Sequence, residues 1–211
     1  ANLLETMNAI RIDANSRVAD RVNRSATFRD GLTVLAGNVP VTNQAYLSDG
    51  TVKIELTLNF FGGFSQYVLP EEIRQVDSVT TVKSVARKNN KQGESFTGLI
   101  IDATGIGAMP SLVPVVVDEK DDVVYGPAFV SREFAVSRGM SSFTATLALA
   151  RNENRVGNRP LVIKSIRTRF TGRSDLVISS TDAAKLRGSV QHLDFLKKCR
   201  VCIVIDQGPE G

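Results

Sequence analysis

The 211-residue chain has no tryptophan, three tyrosines, one histidine and two cysteines, and each scarcity removes a class of function. Without Trp and with few Tyr, the usual stacking platforms for single-stranded nucleic acid are missing, which argues against a nucleic-acid groove. His192 is the sole histidine, so a metal site with more than one His ligand is excluded, and any Ser-His-acid or Cys-His arrangement would have to use this residue. It stands between Gln191 and Leu193 in an amphipathic stretch, and Cys199 follows it too closely, across a helix end, to form a nucleophile pair. Two cysteines are too few for a disulfide framework. Cys199 and Cys202 lie in KKCRVCIVID, which reads as a buried strand. A spacing of three on a strand points the two thiols to opposite faces, so they are expected to serve as small buried hydrophobes. No apolar run approaches the ~20 residues needed to span a bilayer.

What is present is the composition of an ordinary globular protein, 42% hydrophobic and 23% charged, long enough for one large domain or two small ones. The net charge of +4 hides an asymmetry. Residues 130–200 carry 14 Lys and Arg against 5 Asp and Glu, a surplus of nine, and the rest of the chain carries a deficit of five. A basic half can bind an anionic partner, or it can meet the acidic half of another copy head to tail. Both readings stand at this point. The chain starts at Ala1, inside an apparent helix, and is read as processed or partial, with any export signal outside it.

The pattern on which the rest is organised is Leu47–Phe61. Val52, Ile54, Leu56, Leu58 and Phe60 alternate with Lys53, Glu55, Thr57 and Asn59, which predicts a strand with one side on a core and the other in water or against a partner. Asp49-Gly50 supplies the tight turn, and Val39–Tyr46 the other arm, with Pro40 at its start or on an edge. Before it, ANLLETMNAI predicts a helix and Ile10–Val22 a strand. Ser25 or Thr27 is expected to cap a short helix carrying Phe28, Leu32 and Leu35, stopped at Gly37. Val76, Val79 and Val82 predict a strand, and residues 86–95 a loop or linker. Leu99–Asp102 predicts a buried strand, and residues 113–126 two strands around an acidic turn. Ser131–Met140 and Ser142–Arg151 read as helices, Leu161–Phe170 and Leu176–Ser179 as a hairpin. Thr181–Lys197 reads as one amphipathic helix burying Leu186, Val190, Leu193 and Phe195 or Leu196. The final strand, Val201–Ile205, is apolar throughout and is expected to be central. The order predicts an α+β protein, helices packed on antiparallel sheet hairpins, in two small domains at 1–90 and 91–211.

No catalytic constellation emerges. Thr104–Gly107, TGIG, follows a strand, but Pro110 and Pro114 argue against the helix a phosphate loop requires, so a turn between strands is expected. Asp118, Glu119, Asp121 and Asp122 are too compact a cluster, interrupted by Lys120, for the six or more oxygens calcium wants, and read as a solvated hairpin tip.

The segments NLLETMNAIRID and YLSDGTVKIELTL, with the following Gly pair and VLPEE, resemble the small lipoproteins associated with bacterial flagellar outer-membrane rings, the FlgP/FlgT type. In that family a helix with an N-L-L motif runs into a strand, and an L-x-D-G-x-V hairpin follows. The resemblance covers about residues 1–75. FTGLIIDATGIGAMPSLVPVVVDE and LVIKSIR through FLKKCRVCIVID resemble the carboxyl-terminal part of longer exported relatives. The resemblance implies export, a lipid anchor on a cysteine near the mature amino terminus, and assembly into rings or discs in the periplasm. It implies no active site and no cofactor. The anchor rests on the resemblance only, because no lipobox cysteine stands in the sequence.

The expectation is therefore a non-enzymatic, self-assembling structural subunit of the bacterial cell envelope, at the periplasm, outer membrane or cell surface. Its partners are copies of itself and other flagellar or envelope proteins. The hairpin edges and the basic helix at 181–197 are the expected contact surfaces, with Lys53, Glu55, Arg173, Lys185 and Arg187 as contact residues. The alternative is a monomeric module recognising peptidoglycan or another polyanion through the basic half. A hydrolase has only His192 and scattered carboxylates behind it.

Overall fold

The computed structural model describes residues 3–73 and 96–207. The strand expected around Val76–Val82, the loop at 86–95 and the domain boundary at 90/91 lie outside the described residues.

The chain opens with α1 (Leu3–Ala9), which buries Met7. The strand expected over Ile10–Val22 does not form. Asp13 instead folds the chain back: its carboxylate accepts the Asn15 N–H and the Ser16 hydroxyl, each at 2.8 Å. Ile12 N–H then donates to the Ser16 carbonyl at 2.9 Å, Arg11 and Arg17 meet as a single bridge, and α2 (Val18–Arg24) begins. A short Asx-type turn thus competes successfully with an extended backbone. Ser25 caps α3 (Ala26–Gly37) by accepting the Phe28 N–H, and Phe28 and Leu32 are buried. The expected hairpin follows as β1 (Val41–Tyr46) and β2 (Val52–Leu56), antiparallel. Gly50 sits at φ +85° in its turn, where a Cβ is disfavoured, and Asp49 accepts both the N–H and the hydroxyl of Thr51. An irregular turn at Phe60–Phe64 leads into α4 (Ser65–Val68).

The second part is one seven-stranded mixed sheet. In chain order its strands are β3 (Gly98–Asp102), β4 (Val116–Asp118), β5 (Val123–Tyr125), β6 (Ser142–Thr144), β7 (Pro160–Thr168), β8 (Leu176–Ile178) and β9 (Val201–Val204). In space the order is β5-β4-β8-β7-β3-β9-β6. Hairpins at β4–β5 and β7–β8 are antiparallel as expected, whereas β3–β7, β3–β9, β4–β8 and β6–β9 are parallel. The α+β class holds, but the sheet here is largely parallel rather than a set of hairpins. The reason is visible in LII and VCIV, which are apolar at consecutive positions, as strands covered on both faces must be. Leu99, Ile101, Leu161, Ile163, Val201 and Ile203 point into the main core. Ile100, Cys202 and Val204 point to the other face, against Ala150 and Val156. Cys199 and Cys202 therefore belong to opposite cores, and both are buried and free. Burial pushes the Cys199 thiol up to about 11. β9 is flanked on both sides, but it is the last strand before the edge strand β6, and β7 holds the centre.

Two helical expectations are corrected. Ser142–Arg151 splits into β6 and α6 (Leu147–Arg151), with Thr146 capping the helix through the Leu149 N–H. Thr181–Lys197 splits into α7 (Ser180–Arg187) and α8 (Val190–Lys197). Gly188 closes the first, and Ser189 caps the second by accepting the Gln191 N–H. The break rotates the apolar stripe: Leu186, Phe195 and Leu196 are buried, while Val190 is 82% exposed and Leu193 is also exposed. The helix expected at Ser131–Met140 forms as α5 (Arg132–Arg138).

Both parts feed one hydrophobic cluster, in which Met7, Ile12, Val18 and Phe64 join Leu99, Val116 and Ile203. Backbone pairing stitches the seam, with Leu112 N–H donating to the Arg11 carbonyl at 3.0 Å and Val113 N–H to that of Ile12 at 2.8 Å. The Arg132 guanidinium donates to the carbonyls of Gln66, Pro70 and Ile73. Gly172 packs so closely on Ala14 that an added Cβ would lie 1.7 Å from its carbonyl oxygen. Among the described residues no helix is long and apolar enough to cross a membrane.

Candidate assembly surface and apolar cleft

Strand alternation in β1–β2 collects Val52, Ile54 and Leu56 on one face with their register partners Tyr46, Gln44 and Val41. The expectation was that this face would lie on a core. It does not: Val41, Tyr46, Val52, Ile54 and Leu56 are between 42% and 78% exposed. A two-stranded ribbon is marginal by itself in water, and an apolar patch of this kind is a common mark of an interaction site. The opposite face carries the expected contact residues Lys53 and Glu55, joined to each other at 2.9 Å. That pair is solvated and holds Glu55 below the usual carboxylate range, chiefly through the Lys53 contact.

The three basic candidates have different fates. Arg173 is exposed at φ +58° in the β7–β8 turn. Lys185 is exposed on α7, with its ammonium 5.2 Å from the centre of the Phe96 ring. Arg187 is committed inward: it pairs with the nearly buried Asp118 carboxylate at 3.0 Å and also donates to the carbonyls of Asp122 and Val123. It clasps the β4–β5 turn and is not a free contact residue. That turn is the expected acidic tip. Asp118 also accepts the N–H groups of Lys120 and Asp122, Glu119 accepts the Ser180 N–H, and Asp121 pairs with Arg169 at 3.0 Å. These carboxylates hold structure together. Thr104–Gly107 is a turn leaving β3, with Gly105 N–H donating to the Asp206 carboxylate.

His192 is buried between the rings of Phe96 and Phe195. Its Nδ1 lies 2.9 Å from the Lys185 carbonyl, which ties α8 to α7. Neither cysteine is near it as a partner, and the arrangement is that of a corner post.

One feature escaped the sequence reading. A cleft of about 860 Å³ runs between the segment after β2, the Arg11–Arg17 turn and α5. Its walls include Leu58, Phe61, Leu112, Met140 and Phe143. The lining residues come from five separated segments, so no spacing in the sequence could have assembled them. Arg11 and Arg17 fall in the stretch expected to be a strand; they instead meet as a bridge at the turn, and both line this cleft. The two are its charged residues; no Asp or Glu lines it. Ser111 and Ser141 stand in its wall with buried hydroxyls that have no partner among the described residues.

The sheet-bearing part gives the chain its place among known proteins. The family model described as Treponema pallidum Tp0624, second domain, matches residues 98–207. The chain belongs to that family. The match to the Tp0624 second-domain family starts at the first residue of β3 and ends just after β9, so it spans the whole seven-stranded sheet and the helices that cover it. The helices and exposed hairpin of residues 3–73 precede the matched region. No curated protein matches the chain.

Proposed function

We propose that this chain is a non-enzymatic structural subunit of the bacterial cell envelope that assembles with copies of itself through the uncovered face of the β1–β2 hairpin. The observation that carries the reading is that apolar face, which the rest of the described chain leaves in water. A second copy can cover it by packing ribbon on ribbon, giving an isologous contact, or by seating it on a different surface, giving rings or filaments. The resemblance of residues 1–75 to the flagellar outer-membrane-ring lipoproteins of the FlgP/FlgT type supports the ring form and a place in the periplasm or outer membrane. Polyanion binding is the weaker reading, because Arg132, Arg155, Lys164, Arg169, Arg187 and Lys198 of the basic half are engaged by carbonyls or carboxylates within the chain.

Particle mass by light scattering, with negative-stain microscopy, tests the proposal on the wild type, on the double variant Tyr46→Asp/Ile54→Asp, and on Arg173→Glu/Lys185→Glu. The hairpin variant is expected to stay a monomer with an unchanged melting temperature, and the charge variant to assemble less readily. A monomeric wild type at all concentrations, or hairpin variants of undiminished particle size, overturns it.

A further inference from the structure

We infer that the cleft beside the segment after β2 is a binding site for a long-chain fatty acid, with Arg11 and Arg17 receiving the carboxylate. The volume, about 860 Å³, falls in the range of about 300–1,000 Å³ found for small-ligand sites. The distribution of chemistry decides the ligand class. Arg11 and Arg17 are held side by side by their bridge, and the Arg11 carbonyl accepts the N–H of Leu112, the neighbour of Ser111. Arg11, Arg17 and Ser111 all line the cleft, and the Ser111 hydroxyl is buried without a partner among the described residues. Phe61 lies on Gly139, 3.2 Å from where a Cβ would stand, and Leu58, Met140 and Phe143 add apolar lining.

Neither guanidinium makes an ion pair with a described carboxylate. Ser111 is 94% buried, and a buried hydroxyl without a partner is costly unless something completes it. A carboxylate supplies acceptors for the guanidiniums and for that hydroxyl, in the charge-assisted pairing at which Arg excels. The tail must be apolar and carry few polar groups. An extended peptide would bury an amide at every residue against Leu58, Phe61, Met140 and Phe143, whose side chains cannot bond to it. A fatty acid carries its charge in one group, as the cleft carries its charge on Arg11 and Arg17 alone. This inference does not rest on self-assembly, and no residue of β1 or β2 lines the cleft.

The test is a fluorescence titration of the whole chain with a dansyl-labelled fatty acid, displaced by palmitate or by hexadecanol. One saturable site per chain is expected, displaced by palmitate. Arg11→Gln/Arg17→Gln is expected to weaken palmitate about 10-fold or more, while hexadecanol changes less than about 2-fold. The single variant Arg17→Gln, at an exposed position, provides the same reading if the double variant fails to fold. The assembly-blocking variant Tyr46→Asp/Ile54→Asp is expected to keep its palmitate affinity, which separates failure of this inference from failure of the assembly reading. Unsaturable binding, several probe molecules per chain, or an unchanged palmitate affinity in Arg17→Gln overturns the inference.

Discussion

The β1–β2 hairpin and the seven-stranded sheet use nearly the same residues in opposite surroundings. VKIEL in β2 and GLIID in β3 are both rich in branched apolar side chains, yet every residue of β2 is exposed, and Gly98 to Ile101 of β3 are buried. The difference lies in what the remainder of the chain supplies. Around β3, strands β7 and β9 pair on both edges and α6 and the main core cover the two faces. Around the hairpin the described chain supplies nothing comparable. Alternation fixes which side chains share a face; cover for that face comes from elsewhere in the chain, or from another molecule.

The sharpest way to probe the contrast is to make the same truncation in both places, beginning where the effect is largest. Ile101 is fully buried between the registered Ile163 and Ile203. Ile101→Ala is expected to cost about 3–4 kcal/mol, because the tightly paired strands leave little room to collapse on the cavity. Urea unfolding followed by circular dichroism measures it, and a loss below about 1 kcal/mol would mean that the sheet is far less tightly packed than its burial indicates.

A second prediction concerns the seam between the two parts. Burial raises the Asp175 carboxyl from 3.8 to about 6; the nearby Asp13 carboxylate adds to this, while Arg169 and the Val115 N–H oppose it. The folded chain therefore keeps a proton that the unfolded chain has already released. Stability is greatest below about pH 4 for this group, falls as pH rises to about 6, and stays lowered above it. Asp175→Asn removes the burden of a buried charge. It is expected to stabilise the protein above pH 6 by about 1 kcal/mol, or about 2–4 °C in melting temperature, with little change near pH 4. The difference between variant and wild type across that window isolates Asp175 from other titrating groups. A gain independent of pH would assign the effect to packing.

The sequence was most legible where one local signal sufficed. Asp49-Gly50 placed the turn, LII and VCIV the buried strands, and VPVVVDEKDDVVYG the β4–β5 pair; the cap narrowed to Ser25 or Thr27, and Ser25 takes it. It misled where two local rules competed. Ile10–Val22 alternates like a strand, but Asp13, Asn15 and Ser16 make a side-chain turn, and the Asp20 carboxylate accepts the Arg17 N–H as α2 begins. In Thr181–Lys197 the helical period runs across Gly188-Ser189, a helix stop followed at once by a helix cap. The stop and the cap are both local signals, and here they override the apolar spacing that runs across them. The cleft was beyond reach for a different reason: Arg11, Phe61, Ser111 and Met140 share a wall only after the seam between the two parts has closed.

The smallest expected effect is also the one that bears most directly on the contrast. Ile54 is 55% exposed, so Ile54→Ala removes little surface that folding had taken from water, and in dilute protein it is expected to cost less than about 0.5 kcal/mol. If the hairpin face is covered only by another copy, the same substitution acts on assembly instead, where the methyl groups do become buried. Its signature is a dissociation that shifts to higher protein concentration while the unfolding midpoint of the dilute chain stays in place. A loss above about 1.5 kcal/mol in dilute protein would place the Ile54 side chain on a core within a single chain, and the hairpin would then be an ordinary buried strand rather than a surface kept for a neighbour.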